Sequence, residues 1–110
     1  MTSKLFMLSY TVSRKEKDSS YENDRSKNWA DHVRDKILNI QNGWKKHTDV
    51  ETTFTGAIDL DGFYDKAGAA KANISKEISL LLKDVPSQYM PIVSLVLLVS
   101  GLDEVVEFKL

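Results

Sequence analysis

The segment Ile92–Val99 constrains the fold most, because its eight residues (IVSLVLLV) are aliphatic except for Ser94. Together with Met90 and Pro91 it is about half as long as a membrane-spanning helix, which needs about 20 apolar residues. A short run of this kind predicts a strand that is buried on both faces, or nearly so. We therefore expect it to lie in the interior of a sheet, with neighbours on both sides.

Three other segments have the character of strands. Residues 5–12 place Phe6, Leu8, Tyr10 and Val12 on one face, as an alternating strand does. Residues 44–60 also alternate, and they predict either one long strand or a hairpin that turns near Thr48 and Asp49. Residues 105–108 predict a last edge strand in preference to a short helix.

Two segments have helical periodicity. Residues 29–41 carry one apolar stripe, with Ser26 or Asn28 as the expected N-cap and Gly43 as the expected stop. Residues 64–83 carry a second stripe, and Pro86 prevents the helix from continuing. The apolar positions of the two stripes are Trp29, Val33, Ile37 and Ile40, then Ala67, Ala70, Ile74, Ile78, Leu81 and Leu82.

Residues 14–28 are fifteen residues without one aliphatic side chain, and they predict a long polar loop. Connections between elements usually run about 4–6 residues, and longer loops are often functional or disordered. Tyr and Arg dominate the energetics of protein interfaces. We therefore take Tyr21 and Arg25, with Arg14 and Lys17, as the candidate partner-binding residues.

The length and composition limit the kinds of protein that this chain can be. A chain of 110 residues has room for one domain, residues 1–110, with one core. Its net charge is −1, but residues 1–47 hold ten Lys or Arg against six Asp or Glu, and residues 48–110 hold five against ten. The absence of cysteine excludes disulfides and thiolate chemistry. With no signal-peptide pattern at its start, the sequence predicts a soluble cytoplasmic protein.

The order of elements predicts an α+β two-layer sandwich. Two helices would cover one face of a mainly antiparallel sheet of three to five strands. If residues 44–60 form a hairpin, the arrangement is the split β-α-β of ferredoxin-like proteins. The architecture is similar in kind to amino-acid-sensing regulatory domains, small dimeric ribonucleases of bacterial defence and toxin–antitoxin systems, and phage-encoded or immunity-type inhibitors. Those ribonucleases would use an acidic residue where this first strand ends in Val12, Ser13 and Arg14.

Two clusters suggest other chemistry. Asp59, Asp61 and Asp65 are spaced like oxygen ligands of a divalent cation, although they also suit a strand-to-helix turn. A basic-aromatic cluster offers cations for phosphates and a ring for stacking, although it also suits a solvated strand start. The cluster consists of Trp44, Lys45, Lys46 and His47.

These features favour a small non-enzymatic binding or regulatory protein that acts through protein–protein interaction. It would be an inhibitor, antitoxin, immunity protein or adaptor of bacterial or phage type, dimeric and without a cofactor. The alternative is a nucleic-acid-binding protein or a metal-dependent nuclease of the same fold. A third possibility is a small-ligand sensor with its pocket at a dimer interface. The glycines form neither a P-loop nor a dinucleotide fingerprint.

Overall fold

The structure, a computed structural model, describes residues 3–47 and 52–110. Its strands form one antiparallel sheet in the order β2-β3-β1-β4-β5. Short 3-10 turns at Leu80–Leu82 and Ser87–Tyr89 separate α2 from β4. The elements are β1 (Ser3–Ser13), α1 (Ser20–Leu38), β2 (Lys45–Lys46), β3 (Thr53–Asp59), α2 (Lys66–Ser79), β4 (Ile92–Val99) and β5 (Val106–Lys109).

Strand β1 organises the sheet, because it hydrogen-bonds to β3 on one side and to β4 on the other. Met7 lies opposite Thr55 of β3 and opposite Leu98 of β4, which fixes the register of all three strands. Every second side chain of β1 from Phe6 to Val12 is buried, as the alternation in residues 5–12 predicts. The predicted first strand is therefore confirmed, with two more residues at its start and one more at its end.

One hydrophobic core lies between the sheet and the two helices. The buried side chains of α1 and α2 pack in the same cluster as the inward side chains of β1, β3, β4 and β5. The protein is thus α+β, with two helices on one face of an open antiparallel sheet. The core members contributed by the helices are Ala30, Val33, Ile37, Ala70, Ile74 and Ile78.

The prediction of a polar loop over residues 14–28 is wrong for most of its length. Helix α1 begins at Ser20, and only residues 14–19 connect it to β1. Ser19 caps the helix by accepting a hydrogen bond from the backbone N–H of Glu22 at 3.1 Å. Ser19 and Glu22 have the Ser-x-x-Glu spacing of a capping box, which is the sequence signal for a helix start here.

Ser26 is not the N-cap but a fully buried residue inside α1, and its hydroxyl donates to the carbonyl oxygen of Lys15 at 2.6 Å. A polar residue therefore occupies a buried position in the first turns of α1. The apolar periodicity that predicts a helix is missing from these turns for this reason. The helix also ends earlier than predicted. Asn39 is its C-cap, and both the backbone N–H and the side-chain amide of Asn39 donate to the carbonyl of Asp35.

Most of the remaining predictions are confirmed, and one is wrong. Within residues 44–60, β2 and β3 pair antiparallel as the predicted hairpin requires, while the predicted turn at Thr48 and Asp49 lies outside the described residues. Helix α2 starts and ends within the predicted range, and the last edge strand is confirmed as β5. Strand β4 has neighbours on both sides, but burial on both of its faces is wrong. Only alternate residues of β4 are buried, because both helices lie on the same side of the sheet.

Gly56 allows the rings of Phe6, a core residue, and Trp44, which packs against the core, to approach β3. A Cβ atom built at Gly56 would lie 2.7 Å from Cζ of Phe6 and 3.1 Å from Cδ1 of Trp44. The rings of Phe6 and Trp44 meet edge to face with centroids 5.6 Å apart. A side chain at position 56 would therefore displace a ring pair that walls one end of the core.

We expect Ser19→Ala to lower the free energy of unfolding by about 0.5–2 kcal/mol, because α1 loses its N-cap. Ser20→Ala, one residue inside the helix, is the matched control and should change it by less than about 0.5 kcal/mol. Urea denaturation followed by circular dichroism measures both. Equal effects of the two substitutions would contradict a helix that starts at Ser20.

We expect Gly56→Ala to lower the free energy of unfolding by about 1–3 kcal/mol, because the added methyl group overpacks the site beside Phe6 and Trp44. Ala57→Thr enlarges the next residue, whose side chain is exposed, and should have an effect within about 0.5 kcal/mol. Thermal and urea denaturation at low protein concentration test the pair. A neutral Gly56→Ala would show that the ring pair can move aside.

Candidate functional site

A shallow groove of about 340 Å³ lies between α1 and the segment that follows α2. We call it the α1 groove. Its lining residues on the helix recur every three or four positions, so they form one exposed stripe of α1. The lining residues are Arg25, Asn28, Trp29, His32 and Asp84.

Arg25 lies between two tyrosine rings at one end of the α1 groove. Its guanidinium is 5.6 Å from the ring centroid of Tyr21 and 5.4 Å from that of Tyr89. Its Nη1 also donates to the hydroxyl of Tyr21 at 3.2 Å. The charge interaction and hydrogen bond with Tyr21 raise the pKa of Arg25 above its ordinary value. The hydrogen bond and the two ring contacts restrict the guanidinium, and the side chain stays exposed.

Tyr89 is the buried floor under this arginine. Its hydroxyl donates to Oε2 of Glu22 at 2.5 Å, and Nζ of Lys17 lies 5.9 Å from its ring centroid. The hydrogen bond to the Glu22 carboxylate, together with burial, raises the pKa of the Tyr89 phenol. Glu22 therefore joins the first turn of α1 to the segment before β4 and fixes the ring against which Arg25 stacks.

The other end of the α1 groove is an ionic cluster around Asp84. Oδ2 of Asp84 is 3.1 Å from Nε2 of His32, and its Oδ1 accepts from Nζ of Lys36 at 2.7 Å. The hydrogen bonds from Lys36 and His32 lower the pKa of the Asp84 carboxyl. The His32 ring meets the ring of Trp29 edge to face, with centroids 5.2 Å apart.

Three of the four predicted partner-binding residues meet here. Tyr21, Arg25 and Lys17 all contact one another or Tyr89. Arg14 lies elsewhere, in a second depression that shares no residue with the α1 groove. The residues of this basic depression are Arg14, Lys27, Ala30, Asp31 and Arg34.

The structure divides the basic-aromatic cluster between the two faces of the sheet. Trp44 packs against Phe6 and Phe54 on the core side, with ring centroids 5.6 and 5.8 Å away. Lys45 lines a shallow pocket on the opposite face. His47 is 2.9 Å from Oγ1 of Thr55, so it is hydrogen-bonded. The four residues do not present one common surface.

The three aspartates predicted as metal ligands lie at the end of β3, in the turn before α2 and at the N-cap of that helix. Oδ1 of Asp59 accepts from the backbone N–H of Asp61 at 2.9 Å. Asp65 is the N-cap of α2 and accepts from the N–H of Gly68 at 3.0 Å. Within residues 3–47 and 52–110, no three His, Asp or Glu side chains are grouped closely enough to hold a metal ion.

The sheet carries a second notable surface on the side away from the helices. We call it the open face. It exposes large apolar side chains of the two central strands, where an antiparallel sheet in contact with water usually carries polar ones. These residues are Leu5, Met7, Ile92, Val96 and Leu98.

No helix in the described part of the chain is long and apolar enough to cross a membrane. The prediction of a cytoplasmic location is not tested by this observation and stays a prediction.

Sequence reasoning missed Trp29, His32, Asp84 and Tyr89 as members of one site. The stripe at positions 21, 25, 28, 29 and 32 becomes visible once the capping box at Ser19 is recognised. Asp84 and Tyr89 join it through contacts that span 52 and 67 residues. The local sequence around these two residues gives no signal of such distant partners.

We expect the ionic cluster to add stability that depends on pH. The lowered pKa of Asp84 means that its stabilisation is present above the ordinary carboxyl value of 3.8 and is lost as the pH falls through the folded value. The difference in free energy of unfolding between the wild type and Asp84→Asn should therefore shrink with acidification below about pH 4. Urea denaturation at a series of pH values measures it, and a difference independent of pH would contradict the ion pairs.

No family model, curated protein or solved structure matches this chain.

Proposed function

We propose that this chain is a small non-enzymatic binding protein that acts through protein–protein contacts, as an inhibitor, antitoxin, immunity protein or adaptor does. One observation carries the proposal. Arg25 is held between the rings of Tyr21 and Tyr89 at the mouth of an exposed groove that also contains Trp29. Trp, Tyr and Arg are the residues most enriched among interface hot spots.

The preorganisation of Arg25 supports this function. A free arginine side chain loses rotamer freedom when a partner binds it, at a cost of about 0.5–1.5 kcal/mol. Here the hydrogen bond to Tyr21 and the two ring contacts already restrict the side chain before any partner arrives. A partner that binds Arg25 therefore gains more net affinity than it would from an unsupported surface arginine.

The chemistry of the α1 groove also indicates what it would recognise. Arg25 and Lys17 supply positive charge at one end, and the ring of Trp29 supplies apolar surface next to it. Asp84 is paired with Lys36 and His32, so its negative charge is largely compensated. We infer a protein partner that presents a carboxylate beside an apolar or aromatic side chain.

We further propose that the fold is the ferredoxin-like split β-α-β arrangement, with a homodimer as the functional form. The strand order supports the fold, because β3 lies between β1 and β2, the two strands that α1 connects. Strand β1 likewise lies between β3 and β4, the two strands that α2 connects. Strand β5 would be an addition at the edge.

Co-purification of the tagged protein from the cells that naturally make it tests the proposed function. We expect one stoichiometric protein partner, identified by mass spectrometry. Arg25→Ala should weaken its binding by at least about tenfold, as expected of a hot spot. Lys76→Ala, which removes an exposed cation from α2, is the matched control and should leave the affinity within about twofold.

Circular dichroism and thermal denaturation accompany this experiment. Tyr21 and Arg25 are exposed, so alanine at either position should leave the protein folded and within about 1 kcal/mol of wild-type stability. If a partner binds equally well to wild type and Arg25→Ala, the α1 groove is not its site. If no protein is retained in stoichiometric amount, the proposed function is wrong.

The basic depression favours nucleic-acid binding as a second candidate function. Arg14, Lys27 and Arg34 converge there around Asp31, which accepts from Nη1 of Arg34 at 2.6 Å. Recovery of RNA or DNA in the same purification, with affinity that falls steeply with salt and on Lys27→Glu, would support this candidate. Absence of nucleic acid from the purified protein would remove it.

A further inference from the structure

We propose that the open face is the interface of a homodimer in which two sheets stack face to face, with the two-fold axis parallel to the central strands. The inference rests on the dimer named in the proposed function and specifies which surface forms it and in which orientation. It makes no use of the α1 groove. The observations that carry it are the side chains of the open face and the charges at its two edges.

The first observation is that the central strands carry no charge on the open face. Strand β1 turns six side chains to that side and β4 turns four, and none of the ten is charged. Charged residues make up 28% of the chain, so about three would be expected. The ten residues are Ser3, Leu5, Met7, Ser9, Thr11 and Ser13 of β1, and Ile92, Ser94, Val96 and Leu98 of β4.

The apolar members are also adjacent. Met7 lies directly opposite Leu98, and Leu5 is the next outward residue of β1 beyond Met7. Leu5 is 72% exposed and Leu98 is 45% exposed. In the described part of the chain, the helices contribute their buried side chains to the other face. Contiguous apolar side chains of this kind mark a surface that another molecule covers.

The second observation selects a copy of this chain as that molecule. The charged residues of the open face lie on the other three strands, with Lys45 on edge strand β2, Asp59 at the end of β3, and Glu107 and Lys109 on edge strand β5. A two-fold axis parallel to the strands places β2 of one copy over β5 of the other. Lys45 of each copy then faces the edge of the other copy that carries Glu107. The two-fold axis repeats this pairing of opposite charges at both edges of the interface.

The register fixes which charges meet. Lys45 is level with Met7 and Leu98, whereas Glu107 is level with Val96, two residues along the strand. Two residues span about 6.6 Å, which the side chains and a rotation of about 30° between stacked sheets can bridge. Lys109 is two residues further away. An axis in the interface plane but perpendicular to the strands would instead place β2 of one copy over β2 of the other, so that both Lys45 side chains lie at the same edge.

The size of the open face suits a dimer of modest strength. In sheet order the five strands have 2, 7, 11, 8 and 4 residues, and at about 4.8 Å between strands and about 3.3 Å per residue they give a footprint of about 500 Å². The two copies would bury about 1,000 Å² in total, which is below the standard range and is typical of weak complexes. We therefore expect a dissociation constant in the micromolar range.

Sedimentation velocity from low to high micromolar concentration, on the full chain, tests the proposal. Leu98→Glu places a charge in the centre of the open face and should weaken dimerisation by about a hundredfold or more. Leu80→Glu is the matched control, because Leu80 is exposed to a similar degree but lies on the helix side of the molecule. It should leave the dissociation constant unchanged within about twofold.

The orientation has its own test. Lys45→Glu and Glu107→Lys should each weaken the dimer by about two- to fivefold, and the double variant should restore it. Circular dichroism and thermal denaturation confirm that each variant folds. If the double variant is weaker than either single one, the two-fold axis is not parallel to the strands.

The outcomes separate this inference from the proposed function. A dimer that Leu98→Glu leaves intact overturns the open face as the interface while the dimer itself stands. A monomer at every concentration overturns both the dimer and its interface. Partner binding at Arg25 is measured independently of either result.

Discussion

The pairing of β1 with a neighbour on each side is the constraint on which the rest of the structure depends. Because β1 is held by β3 and β4 together, its alternation is transmitted across the sheet, and every strand has one inward and one outward set of side chains. A slip of one residue would exchange Leu8, which is fully buried, with Met7, which is exposed. The core, the open face and the edge charges all follow from this single register.

The strands could be predicted from the sequence because alternation is a local property. The aliphatic run at residues 92–99 was an exception, since its outward residues Val96 and Leu98 are as apolar as its inward ones. In a sheet with helices on both sides that pattern means burial on both faces. Here it means an apolar surface, and composition alone does not distinguish the two. Knowledge of where the helices lie is required.

The prediction of where α1 starts was wrong for the opposite reason. Two polar residues, Glu22 in its first turn and Ser26 on its buried side, take positions where apolar residues would be expected. The Ser26 hydroxyl donates to the Lys15 carbonyl, and the Glu22 carboxylate accepts from the Tyr89 hydroxyl. Apolar periodicity therefore begins too late, and only the capping box marks the true start. The site followed the same pattern. Tyr21 and Arg25 were recognisable by residue type, whereas Asp84 and Tyr89 join them only through the tertiary fold.

The two tryptophans sit in different parts of this architecture. Trp44 is packed against Phe6 and Phe54 in the wall of the core, whereas Trp29 lines the α1 groove beside His32. Both indoles pack against the core, so the emission of each reports unfolding, but only Trp29 also lies where a proposed partner in the α1 groove would change its surroundings. Each tryptophan, replaced singly by phenylalanine, would leave a chain with one intrinsic optical probe whose position is already known.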